Sequence, residues 1–414
     1  MDIQSSYKKI AIYFLLFVIV YISDDTLLFG TSSDVYMYSK FKYLLYYLLT
    51  VVLIINVRRI SKSNAILLMT LVTLIAITSI SNSDFRGGYV YQTLIIVLSF
   101  LLVKKINFSV FAATYCRYIY LFGIASLVAY VLAILFPFII NYFPVITNIS
   151  GLDSHNLIVA VIHGDYGHGL RNTGIFREPG VYMIYLNIAL MLSLFYENSL
   201  NKRYVFIYLL CIATTVSTAG IIVAAGILLA SVFYRKDMFS KGEKRLIYLL
   251  PFFFVLVLIY NIGLSDAIFG KLNADSDKYV STLARVASFF VPLVNFMDNP
   301  FSGSGLTSFN IEFEKQSMIM FGIPLSADGT ATNTITNKFA TYGLLFGTIF
   351  IYALFRFSKK IFGKNVFLKY VSFVLLLAMF SNEDMRYSLL FNMIVFYGLI
   401  KDKSLQNQFI QGSK

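Results

Sequence analysis

Gly169-Leu170-Arg171-Asn172-Thr173-Gly174-Ile175-Phe176-Arg177-Glu178-Pro179-Gly180 places two arginines and a carboxylate directly ahead of a long apolar run. Proline suits the first turn of a helix, where its missing N–H costs nothing. A helix is therefore expected from Pro179 to about Tyr196, long enough to cross a bilayer. Its free amides and positive dipole end would lie at one membrane surface, beside Arg177 and Arg171. Such a place suits an anion at the lipid–water boundary, and a lipid-linked phosphate is the natural candidate.

The rest of the chain fits a bilayer. Hydrophobic residues make up 58% of it and charged residues 13%, against roughly 45–50% and 25% in a soluble domain. Phe and Tyr are abundant and Trp is absent, so Tyr must supply most of any interfacial belt. A net charge of +13 in a soluble protein would suggest nucleic acid. Here the charge sits between apolar runs, so no nucleic-acid partner is expected.

Apolar runs near 10–28, 41–57, 64–80, 89–103, 117–136, 180–196, 204–217, 219–234, 246–262, 339–357, 365–380 and 387–400 give an all-α integral membrane protein. It is a polytopic bundle of about twelve transmembrane helices, although the pair at 204–217 and 219–234 is short for two spans. Most of the 34 basic residues fall in short connections on one side, among them Lys104-Lys105, Arg235-Lys236 and Lys359-Lys360. That asymmetry sets both termini in the cytoplasm. The first run follows Lys8 and Lys9 with no small-residue cleavage pattern behind it, and reads as a retained helix. Cys116 and Cys211 lie in or at apolar runs and read as buried thiols.

Residues 1–414 form a single polytopic domain with two long outer loops, 137–179 and 263–338, that contain short helices. In the second loop, Leu283, Val286, Ala287 and Phe290 recur at helical spacing, leaving Arg285 off that apolar face. Asp298-Asn299-Pro300-Phe301-Ser302-Gly303-Ser304-Gly305 is a turn whose glycines let the backbone approach something closely.

Arg171 and Arg177 offer planar forks of donors suited to phosphate oxygens. Glu178 has three readings, a cap on the first amides of the helix, a direct catalytic group, or a partner that fixes Arg171 or Arg177. His155, His163 and His168 have no metal-ligand spacing. A histidine matches proton transfer near neutral pH, and His168 is the nearest to Arg171. Each also reads as a solvated loop histidine.

These pieces resemble a known family. Arg171-Asn172-Thr173-Gly174-Ile175-Phe176 followed by Pro179 is similar to the Arg-x-x-Gly-x-Phe signature of bacterial polysaccharide polymerases and O-antigen ligases. Arg285 through Asn299-Pro300 and Gly303-Ser304-Gly305 resembles their Arg, apolar helix, Asn-Pro, Gly-x-Gly segment. Thr332-Asn333 and Tyr342-Gly343 resemble the close of that loop. The resemblance implies a membrane glycosyltransferase that uses polyprenyl-diphosphate-linked oligosaccharide at the outer face of the bacterial cytoplasmic membrane, without metal or nucleotide cofactor. It implies a flippase and a chain-length regulator of the same pathway as partners, alongside membrane lipid. Arg171 and Arg285 fall on diphosphate-holding positions, with Arg177, Glu178 and His168 beside them. Asn172, Gly303, Gly305, Asn333 and Tyr342 are the expected substrate contacts.

Two departures count. Ser217-Thr218-Ala219-Gly220 lacks an arginine often found there, a place Arg177 is free to take. Thr332 stands where the ligase branch has a histidine, which favours a polymerase. An O-antigen ligase acting on lipid A-core, a flippase for the lipid-linked oligosaccharide and a structural subunit of an export complex are the alternatives.

Overall fold

The computed structural model describes residues 3–30, 36–57, 60–147, 153–163, 170–196, 201–234, 240–245, 247–249, 277–362 and 365–400. The described chain is mostly helical. Its first half holds α1 (Ile3–Tyr21), α2 (Tyr36–Asn56), α3 (Lys62–Ser81), α4 (Gly87–Lys105), α5 (Phe108–Leu135) and the single turn α6 (Pro137–Ile140). After the first long loop come α7 (Pro179–Phe195), α8 (Lys202–Thr214) and α9 (Thr218–Tyr234). The second long loop holds α10 (Asp277–Asp298), α11 (Gly305–Phe321) and the broken turn α12 (Ala327–Thr330). The chain then runs through α13 (Thr334–Phe362), α14 (Val366–Phe380) and α15 (Leu389–Leu399).

Helices in α2, α3, α4, α5 and α13 are long and apolar enough to cross a membrane, and shorter apolar helices accompany them. Apolar side chains also face outward. On α2, Phe41, Leu44, Leu48, Val52 and Ile55 form an exposed stripe at three- and four-residue spacing. A stripe of that kind needs lipid or protein to cover it. The expected run at 246–262 falls mostly outside the described residues.

The helix opened by Pro179 is central rather than lipid-facing. It has 17 residues, about 25 Å at 1.5 Å per residue, and every side chain from Val181 to Phe195 is buried. A helix that is apolar all round belongs inside a bundle, and α5, α8 and α9 enclose it. Its polar Asn187 donates to the carbonyls of Met183 and Gly220, at 2.9 and 3.1 Å, and ties it to α9.

Three expectations need correction. The first run ends at Tyr21, not at 28, because it would otherwise bury Asp24 and Asp25 without partners. The chain bends there instead, Lys42 and the Tyr91 hydroxyl meet Asp24, and the Tyr185 hydroxyl donates to Asp25 at 2.6 Å. The doubtful pair resolves into α8, with 13 residues, and α9, with 17, joined through Val216 at φ 51°.

The first long loop carries one helical turn and then an antiparallel sheet, β1 (Val145–Thr147), β2 (Asp153–Asn156) and β3 (Val161–His163), in the order β1-β2-β3. β-branched residues at 145–147 and 161–162 suit strands. Bridges Ile162↔Asn172 and Thr26↔Phe176 then pin the arginine-bearing segment to the sheet and to the 22–30 bend.

On α10 the buried row is Leu283, Ala287 and Val291, whereas Val286 is 39% and Phe290 49% exposed. Small Ala287 at the centre of that row lets α10 lie close against α13. The glycine-bearing turn also presses on α13. Gly303 has φ +70°, and a Cβ there would strike the Thr341 backbone. Gly343, at φ +83°, breaks the helix where the Leu344 N–H donates to the Pro300 carbonyl at 2.7 Å.

Candidate functional site

Two adjoining cavities open where the ends of α1, α3, α8 and α14 meet the starts of α4, α7, α9, α13 and α15. The first, about 300 Å³, is lined by Asp24, Asp25, Arg86, Arg177, Asp384 and Arg386, together with Asn310 and Tyr387. The second, about 250 Å³, is lined by Glu178, Ser217, Arg285, Thr332, Asn382 and Glu383. Neighbouring residues divide between them. Arg177 and Asp384 line the first, Glu178 and Glu383 the second, so segments 177–178 and 383–384 form the wall between the two.

Arg177 is the tie in that wall. Its N–H donates to the Asp25 carbonyl at 3.1 Å, and its Nη2 to the Asp384 carbonyl at 2.5 Å. Its Nε is sealed from solvent and has no hydrogen-bond partner among the described residues. Burial works against its charge, but Glu178, Asp25, Asp384 and Glu383 together hold the guanidinium above its ordinary range. Burial pushes the Asp25 carboxyl up, although Arg177 and hydrogen bonds from Ser388 and Tyr185 pull the other way. Arg386 forks onto Asp384, its Nε 2.7 Å from Oδ2. Lys338 of α13 reaches the same place, its Nζ donating to Gln92 and to the Arg386 carbonyl at 3.1 and 3.2 Å.

Arg171 and Arg285 come within electrostatic reach of one another. Burial and then the Arg285 charge lower the basicity of Arg171, while Glu383 and Glu178 raise it. Arg171 is partly committed to the fold, because its Nε donates to the Thr215 carbonyl at 2.9 Å and its Nη2 to Val216 at 3.3 Å. It thereby satisfies carbonyls left open at the end of α8. Arg285 is exposed on α10 and lines the second cavity.

Glu178 occupies the N-cap position of α7 but makes no side-chain bond to the helix amides, which corrects the capping expectation. Its carboxyl instead faces that of Glu383. Burial first, and then the Glu178 charge, push the Glu383 carboxyl well above the usual carboxylate range, against Arg177 and Arg285. His168 lies outside the described residues. His155 sits on β2 with Nδ1 3.4 Å from the Phe143 carbonyl, and His163 belongs to β3.

The expected substrate contacts are engaged within the protein. Asn172 donates to the Ser126 and Thr214 hydroxyls and accepts from the Gly174 N–H at 3.0 Å. Gly303 meets α13, and a Cβ on Gly305 would meet the Tyr89 hydroxyl of α4. Tyr342 is buried and packs edge-on to Tyr89. Asn333 caps α13, its Oδ1 accepting from the N–H groups of Ile335 and Thr336 at 3.0 and 3.1 Å. Asn333→Ala should therefore lower stability by about 1 kcal/mol, with Asn333→Ser close to wild type, in thermal melting. A residue held only for substrate would leave both melting curves unchanged.

Sequence reasoning missed Asp24-Asp25 and Asn382-Glu383-Asp384-Met385-Arg386. The available signal was charge density, since both are dense in charge for a short stretch beside apolar runs. No family model matches the chain, and neither a curated protein nor a solved structure does.

Proposed function

We propose that the protein is a polysaccharide polymerase of the outer face of the bacterial cytoplasmic membrane, spanning it about twelve times with both termini inside. It transfers a growing glycan from polyprenyl diphosphate to the non-reducing end of a lipid-linked repeat unit. The observation that carries this reading is the pair of arginine-bearing cavities, set back to back at one end of an apolar bundle. Every connection contributing to their walls is one that the basic-residue asymmetry assigns to the outside. Two reactants need two adjoining sites, and one charged wall serves both.

Arg285, with Arg171 within its electrostatic reach, suits the diphosphate that leaves with the lipid. Negative charge builds on its oxygens as the sugar–phosphate bond breaks, and cations already in place stabilise that charge without reorganising. A flippase would need polar groups along a path through the spans. Here the buried Lys42 and Lys338 are both tied to the same end, to Asp24 and to the Arg386 carbonyl.

Sidedness is the first test. Reporter fusions at Asn172 and Ser308 should report the outer compartment, and one at Lys241 the cytoplasm. An inside signal from Asn172 would overturn the reading. The chemical test is extension of a lipid-linked repeat unit by the purified protein.

A further inference from the structure

We infer that Glu383 is the general base that takes the proton from the attacking sugar hydroxyl, with Glu178 as the positioning residue that tunes it. The inference rests on the polymerase reading and names a group the sequence reading did not. Glu383 lines the second cavity together with Arg285, so a sugar carbon whose phosphate faces Arg285 has a carboxyl within the same small space. Its backbone is fixed from α13, because the Thr334 hydroxyl donates to the Glu383 carbonyl at 2.5 Å and accepts from the Met385 N–H at 2.7 Å. The carboxyl lies against the first turn of α7, where a Cβ on Gly180 would land on its Oε1.

The charged groups facing it are Glu178 and Arg177 at the head of α7, Arg285 on α10, and Arg171 ahead of the α8–α9 turn. The neighbouring Asp384 is taken up by Arg386.

The step balances. The acceptor oxygen forms the new bond to the anomeric carbon with its lone pair. The carbon–phosphate-oxygen bond breaks and its electrons stay on the diphosphate. The hydroxyl proton passes to the Glu383 carboxylate and leaves to solvent past the exposed Glu178. A base is most effective when its own titration lies near the working pH. Burial and the Glu178 charge move Glu383 in that direction. Catalysis needs the ionised form, so turnover rises with pH as Glu383 loses its proton.

The test compares polymer extension from pH 5 to 9 by wild type, Glu383→Gln, Glu178→Gln and Gly180→Ala, each with its melting curve. Glu383→Gln should slow extension about 100- to 10,000-fold without loss of fold. Glu178→Gln removes a negative neighbour, so its acid limb should move to lower pH while extension persists. Gly180→Ala displaces only the flexible end of Glu383, and should fold yet slow extension roughly 100-fold. A wild type that extends nothing would sink the polymerase reading and the inference with it. An active wild type matched by Glu383→Gln, or an acid limb unmoved in Glu178→Gln, would overturn the base assignment alone.

Discussion

Arg177→Ala is expected to destabilise the protein by about 3 kcal/mol at neutral pH, the figure for removing one partner from a buried charge cluster. The loss has an identifiable cause. Arg177 is the cation shared by Glu178, Asp25, Asp384 and Glu383, and its Nη2 joins α7 to the α14–α15 connection. Without it, Asp25 and Glu383 keep their burial and lose the attraction that opposes it.

The pH dependence follows in sign. Both carboxyls already titrate above their ordinary range in the folded protein, and the substitution raises them further. Groups raised on folding favour the native state at low pH and lose that advantage as pH rises through the folded value. The deficit of Arg177→Ala should therefore be larger at pH 8 than at pH 5. Thermal melting in detergent across that range measures it. A variant that melts with wild type at pH 8 would show that Arg177 holds nothing together.

Arg285→Ala is expected to do the reverse, sparing the fold and slowing transfer. The side chain is exposed on α10, and the buried row of that helix is Leu283, Ala287 and Val291, so truncation leaves no core cavity. A charge-assisted hydrogen bond contributes roughly 1.5–3 kcal/mol. At about 1.4 kcal/mol per decade, losing one slows transfer roughly 10- to 150-fold. Initial rates of polymer extension measure the effect, with unchanged melting as the control. Undiminished extension would remove Arg285 from the site.

These two arginines show what the linear sequence makes legible. The start of α7 at Pro179 is legible because proline has a positional rule. The basic-residue asymmetry assigns certain connections to one side, and residues of those connections line the two cavities. Which arginine would be structural was not legible. Arg171 and Arg177 carry the same chemistry, yet one satisfies the Thr215 carbonyl and the other gathers carboxylates from three segments. Those partners are set by long-range packing.

Glu383 was hidden for the same reason. In sequence it belongs to a short connection between two apolar runs, and only packing against Gly180 and Arg285 gives it a role. Gly303 and Gly305 were read correctly as close-approach points, but sequence does not say what approaches. Here it is α13 for one and Tyr89 of α4 for the other. The run at 10–28 overshoots α1 because a hydropathy average tolerates two aspartates whose carboxylates need the partners that the bend supplies.

A polymerase should extend a synthetic polyprenyl-diphosphate repeat unit as purified protein in liposomes. With nothing else supplied, a ladder of lipid-linked polymers is expected, shortened in Arg285→Ala. A repeat unit that stays unextended, or that is carried across the bilayer at its original length, would contradict the polymerase reading.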